Sequence, residues 1–240
     1  MRGTVGLLLA LALGACTAVP QPSDLTPVDR PLLRYEPLGE PRATVVALHG
    51  FNDRKAAFLP FGAAAAAAGI RVVAYDQGGF GANPDAGDWP GLAQLVADLH
   101  ATIVDARARA PGRPVVVLGE SMGAAVALAA LGTREAPAVD GLVLVAPAVW
   151  GGDRLNPLFR LALWMTAAAF PDLELSAAGL DIQASDNIPM LVALGRDPLY
   201  LSTADAAALR GLVRTIDAGL AAAPRLEAPR LVLVGARDQV

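Results

Sequence analysis

From residue 44 onward the chain repeats one pattern: a short run of apolar, often β-branched residues, a turn, then a longer stretch at helical spacing. The strand-like runs are residues 44–48, 70–75, 115–118, 142–145 and 231–234. They are apolar at consecutive positions rather than at alternate ones, which suits parallel strands covered on both faces. Helices are expected near 56–68, 91–110 and 122–131. In the second of these, Leu92, Leu95, Val96, Leu99 and Ile103 fall on one face and read as core. The six alanines 63–68 favour helix, and Gly69 supplies a stop. Strand–helix alternation of this kind predicts an α/β domain with a mainly parallel sheet and flanking helices.

Residues 149–226 break the rhythm. They hold Trp150, Trp164, several prolines and amphipathic stretches at 158–170 and 203–222, with no strong strand before 231. A mostly helical insertion of this size is expected to cap the end of the sheet over a pocket.

The N-terminus has a different character. Arg2 is followed by an apolar run from Val5 to Leu13, too short to span a bilayer comfortably, then by small residues. Cys16 is the only cysteine of the chain and follows Leu13-Gly14-Ala15 directly. This layout resembles the signal peptide of bacterial lipoproteins. The resemblance implies cleavage before Cys16, acylation of that residue and a lipid-anchored protein of the cell envelope. Residues 1–15 are then the signal, 16–31 a Pro-rich tether and 32–240 the folded domain.

Composition narrows the function. Of 240 residues, 54% are hydrophobic and 18% charged, enough apolar material for one sizeable core. The net charge of −4 offers no basic excess for a phosphate backbone, so no nucleic-acid partner is expected. A single cysteine and two histidines, His49 and His100, argue against a metal site. No cofactor is expected.

Gly119-Glu120-Ser121-Met122-Gly123 stands between the run 115–118 and the helix beginning near Met122. A G-x-S-x-G pentapeptide in that strand–turn–helix context is a nucleophile elbow, with Ser121 as the candidate nucleophile. At a helix N-terminus its oxygen lies where negative charge is stabilised. Leu48-His49-Gly50-Phe51, Tyr75-Asp76-Gln77-Gly78-Gly79-Phe80-Gly81, Ala146-Pro147-Ala148, Arg196-Asp197-Pro198-Leu199 and Gly235-Ala236-Arg237-Asp238 complete a series of motifs. In this order they resemble the α/β-hydrolase fold family, in its lysophospholipase/monoacylglycerol lipase-like branch, also described as serine aminopeptidase-like. The resemblance spans nearly all of 40–240 and places the cap after the sixth strand of that family's count.

The resemblance implies that the Phe51 and Met122 amides form an oxyanion hole, that His49 anchors its loop, and that Asp238 is the triad acid. One departure is Gly78, where this branch usually carries arginine. A second is the base. The fold's chain order is Ser, then acid, then His, and no histidine follows Asp238. His100 precedes the nucleophile strand, which violates that order. The expectation is a C-terminally incomplete copy of a longer hydrolase, lacking a strand and a helix, with 231–234 left as an exposed edge and the chain as given inactive; the alternative is a natural chain without a working triad. The expected reaction is hydrolysis of a small acyl ester, of the lysophospholipid or monoacylglycerol type. The alternatives are an acyl-ligand-binding lipoprotein without turnover, or a peptidase or thioesterase of the same fold.

Overall fold

A computed structural model describes residues 30–149, 155–175 and 185–236. Cys16, Trp150 and Asp238 lie outside them, as do the expected signal and most of the expected tether. Six strands form the main sheet: β1 (Leu32–Tyr35), β2 (Ala43–Leu48), β3 (Ile70–Tyr75), β4 (Val115–Glu120), β5 (Gly141–Val145) and β8 (Arg230–Leu233). Their order is β1-β3-β2-β4-β5-β8, with β1 antiparallel to β3 and every other pair parallel. This is the expected α/β architecture. β1 was not expected; its single charged residue, Arg34, is buried beside Glu36 and Asp105.

The helices are α1 (Leu59–Ala67), α2 (Leu92–Arg109), α3 (Met122–Leu131), α4 (Pro157–Ala169), α5 (Ile188–Leu194) and α6 (Ala206–Ala222). A 3-10 turn at Lys55–Phe58 leads into α1, and Gly69, at φ 83°, ends it. Two cores result, one on each face of the sheet. Leu95, Leu99, Ile103, Met122 and Val126 of α2 and α3 fill one with Val46, Leu48 and Val117. Phe58, Ala65 and Ala66 fill the other with Val45, Val72 and Tyr35. Alanine at α1 and α3 lets both helices lie close to the sheet. The first three expected helices are therefore present, and α3 has the expected bounds.

The expected cap needs a correction. α6 packs on α3 beside the sheet and is not part of a cap. The reason is its small-residue face: a Cβ on Gly219 would lie 2.6 Å from the Ala125 carbonyl oxygen, so only glycine allows that approach. The remaining insertion holds α4, α5 and the two-residue strands β6 (Glu174–Leu175) and β7 (Ala204–Asp205), which pair with each other. It follows β5. Among the described residues β8 is the sheet edge, and its Leu231, Val232 and Leu233 are about half exposed. The expected tether also ends early. Arg30 is docked through its Nε to Asp98 at 3.0 Å, and the Pro31 carbonyl accepts from the Asp76 amide at 2.8 Å.

Candidate active site

Chain order reverses between β2 and β4. β3 lies on one side of β2 and β4 on the other, so a crevice opens at the C-terminal ends of these two strands. Both candidate motifs end there: Leu48 pairs in register with Gly119, and the His49-Gly50-Phe51 loop and Ser121 follow directly.

Sterics explain the glycines. A Cβ on Gly119 would meet Ala124 backbone atoms at 2.6 Å, and one on Gly123 would meet the Leu48 carbonyl oxygen at 2.4 Å. The first turn of α3 thus lies against the end of β2 with no room for a side chain. A Cβ on Gly50 would stand 3.5 Å from the Ser121 Cβ, which measures how near the loop comes to the serine. Ser121 has φ 49° and ψ −115°, a conformation costly for a residue with a Cβ. Its amide donates to the Val145 carbonyl at 3.0 Å, and its carbonyl accepts from Ala148 at 3.1 Å. The hydroxyl is partly exposed at the N-terminus of α3. Met122 is the first residue of that helix, so its N–H has no intrahelical acceptor.

His49 is fully buried and used up. Its Nε2 accepts from the Gln77 amide at 3.0 Å, so the proton sits on Nδ1 and is donated to the Gly50 carbonyl at 2.8 Å. The Gln77 side chain donates back to the His49 carbonyl at 2.8 Å. Burial pushes the imidazole pKa down, which keeps it neutral. His100 bonds through Nε2 to the Ala130 carbonyl at 3.1 Å, at the far end of α3. That is roughly 13 Å from Ser121 at 1.5 Å per residue.

Around the serine lies a polar group the sequence did not announce. Burial pushes the Glu120 carboxyl up, and the nearby Asp53 charge adds to it. Burial raises Asp53 as well, against the Arg54 amide that donates to it at 2.7 Å. Tyr200 is raised by burial and by the same Asp53 charge. The insertion is fastened to the loop after β2 by three contacts. Arg54 pairs with Asp197, its Nε 2.7 Å from Oδ2; the Leu201 amide donates to the Asn52 carbonyl at 3.0 Å; and Asn52 Nδ2 donates to the Thr203 carbonyl at 3.2 Å.

On the other side, Asp76 is buried and accepts from the Lys55 amide, Lys55 Nζ and the Ala82 amide at 2.7–2.9 Å. Phe51, Phe80 and Trp89 form an aromatic cluster with centroids 5.6–6.4 Å apart. The departure at Gly78 also has a structural counterpart. The Arg30 guanidinium lies over it, with Nη2 only 2.8 Å from where a Cβ would stand. The N-terminal segment thus reaches across to this loop.

Residues 39–240 match the family described as serine aminopeptidase, S33. The chain is 29% identical over 212 residues to the monoacylglycerol lipase of Mycolicibacterium smegmatis, a match covering 86% of this chain and 74% of that one. It is 26% identical over 219 residues to the human monoglyceride lipase, covering 86% and 68%. Its fold superposes on the crystal structure of the Paleococcus ferrophilus monoacylglycerol lipase with a TM-score of 0.69 and 22% identity, covering 85% and 77%. The matching region contains β2, β4, the Ser121 turn and the insertion alike. By sequence and by fold the chain belongs to the serine aminopeptidase S33 family of α/β-hydrolases, as a lipase- and esterase-like member.

Proposed function

We propose a serine hydrolase of carboxylic esters of the monoacylglycerol or lysophospholipid type, with Ser121 as nucleophile. The observation that carries the reading is the strained Ser121 turn, set at the α3 N-terminus against the His49-Gly50-Phe51 loop. Ser121 Oγ attacks the acyl carbonyl carbon, and the Phe51 and Met122 amides donate to the oxygen as it gains charge. One such donor is worth about 3 kcal/mol of transition-state stabilisation. Collapse expels the alcohol and leaves an acyl-enzyme, which water then cleaves to release the fatty acid. Asp238 is the acid that would orient an imidazole base for the Ser121 proton. Neither His49, whose nitrogens are both engaged, nor His100, at the other end of α3, is placed to be that base.

Acylation of Cys16 holds the protein on a membrane of the bacterial envelope, beside such substrates. Palmitate labelling that is lost in Cys16→Ser tests that part. The nucleophile is tested by fluorophosphonate labelling of the protein expressed from its own gene, with the adduct located by mass spectrometry. An adduct on Ser121, absent in Ser121→Ala, is expected; label elsewhere or nowhere overturns the assignment. Faster cleavage of aminoacyl amides than of monoacylglycerols would move the reading to a peptidase. The engagement of both histidines favours one second reading, an acyl-ligand-binding protein without turnover. It predicts saturable lipid binding that Ser121→Ala leaves unchanged.

A further inference from the structure

A cavity whose lining does not include Ser121, about 570 Å³ in volume, opens between the start of α2, α4 and the outer face of α6. That volume falls in the range of roughly 300–1,000 Å³ typical of small-molecule sites. Its walls are apolar: Trp89, Leu92, Ala207 and the bare backbone of Gly211 contribute. Trp89 stands between this cavity and the Phe51–Phe80 pair. Its indole rests on Gly211, where a Cβ would lie 2.2 Å from the ring, and its other neighbours are Phe51 and Phe80.

Two cations stand in this apolar wall. Arg210 and Arg214 line the cavity one helical turn apart, where side chains are neighbours at about 6 Å. They also line a smaller cavity of about 220 Å³ on their other side, so they form the ridge between the two. Across that smaller cavity Arg160 faces Asp217 at 3.8 Å. Among the described residues, neither Arg210 nor Arg214 has an acidic partner or a hydrogen-bond acceptor. Arg210 is half-buried. In a chain of net charge −4, two neighbouring unpaired guanidiniums are not a general basic surface. A partly desolvated guanidinium is stabilised by an anion, and its planar fork suits a carboxylate bound through two oxygens.

We propose that this groove binds a single-chain fatty acid, with the alkyl chain along Trp89, Leu92 and Ala207 and the carboxylate on Arg210 and Arg214. The site is separate from Ser121, and its occupancy does not depend on ester hydrolysis there.

Isothermal titration of the full chain with dodecanoate below its micelle concentration tests this, with dodecanol as the neutral analogue. Saturable one-to-one binding of dodecanoate is expected. Binding should weaken about tenfold or more in the R210Q/R214Q double variant, with dodecanol binding unchanged and the melting temperature preserved. Ala207→Phe, which fills the groove without touching charge, should weaken both ligands and serves should the double variant fail to fold. Dodecanoate binding within twofold of wild type in either variant overturns the proposal. So does dodecanol binding as tightly as dodecanoate, or no saturable binding. Dodecyl phosphate binding more than tenfold tighter than dodecanoate overturns the carboxylate assignment.

Discussion

Replacing Gly123 by alanine separates a structural requirement at the elbow from a mere sequence pattern. The new Cβ would stand 2.4 Å from the Leu48 carbonyl oxygen and 2.7 Å from that of His49. Ordinary contact begins near 3.4 Å, so α3 and the end of β2 must part by about 1 Å. Neither neighbour can rotate away, because both are backbone atoms of a buried strand end. Overpacking of this kind costs about 1–3 kcal/mol, and the better helix propensity of alanine returns up to about 1 kcal/mol. A net loss of about 1–2 kcal/mol should lower the melting temperature by roughly 2–8 °C in a domain of this size. The same displacement moves the Met122 amide relative to Phe51, and a misplacement of ~1 Å can reduce turnover about 100-fold. The assay is urea unfolding beside kcat/KM on a short-chain aryl ester, using protein expressed from its own gene. Gly195→Ala is the control: its Cβ would meet nothing nearer than 3.6 Å, and its φ of −64° suits alanine. An unfolding midpoint in Gly123→Ala equal to that of wild type would refute the steric argument, and normal kcat/KM with reduced stability would refute the link to the site.

Other perturbations test other parts of the molecule. Tyr75 is buried, and its hydroxyl has no partner among the described residues, so Tyr75→Phe should raise stability by about 1 kcal/mol in urea unfolding; a loss would show a missed hydrogen bond. Asp197→Asn removes the charge that pairs with Arg54 and should speed hydrogen exchange at the Leu201 amide, which bonds to Asn52; unchanged protection would mean that the insertion is held elsewhere. Ser121→Gly should be more stable than Ser121→Ala by about 1 kcal/mol, because glycine alone adopts φ 49° without strain; equal stabilities would show that the turn is not strained. Glu120 has its folded-state pKa raised by burial and by Asp53, so its contribution to stability is full below the unfolded pKa and is lost as pH rises through the folded value. Glu120→Gln should therefore gain more stability over wild type at about pH 7.5 than at about pH 4, and the reverse order would overturn the sign.

How far the sequence revealed this fold follows from the range of each signal. β2, β3, β4 and β5 announce themselves because parallel strands covered on both faces are apolar at consecutive positions. The α3 bounds were legible for a local reason, the glycines that let it start at Met122. β1 escaped notice because it has only four residues and one is Arg34, whose burial depends on Glu36 and Asp105 arriving beside it. α6 was readable as a helix but not as a partner of α3, since a glycine face does not say what it will approach. At the site, the proximity of Ser121 to the His49-Gly50-Phe51 loop was implied by the family resemblance. The docking of Arg30 over Gly78 and the gathering of Asp53, Glu120 and Tyr200 did not, because these pairings link segments far apart in the chain.

Backbone strain in this molecule is not scattered. Among the described residues, the non-glycine positions with positive φ are Asn52 at 64°, Ser121 at 49° and Ala146 at 42°. Asn52 stands in the loop after β2, Ser121 directly after β4 and Ala146 directly after β5, at the same end of three neighbouring strands. Such residues cost on the order of 1–3 kcal/mol each, a large share of the roughly 5–15 kcal/mol that holds a domain folded. They persist because each is fixed from more than one side. Ser121 bonds to Val145 and Ala148, Ala146 donates to Leu233 at 2.7 Å, and Asn52 is held by Leu201 and Thr203. These bonds tie each turn to an adjacent strand or to the insertion, so relaxing one turn would disturb its neighbours. Strand ends built only for stability have no need of such a network. Its concentration around Ser121 is what the proposed reaction would use, since donors set in advance need not reorganise as charge develops.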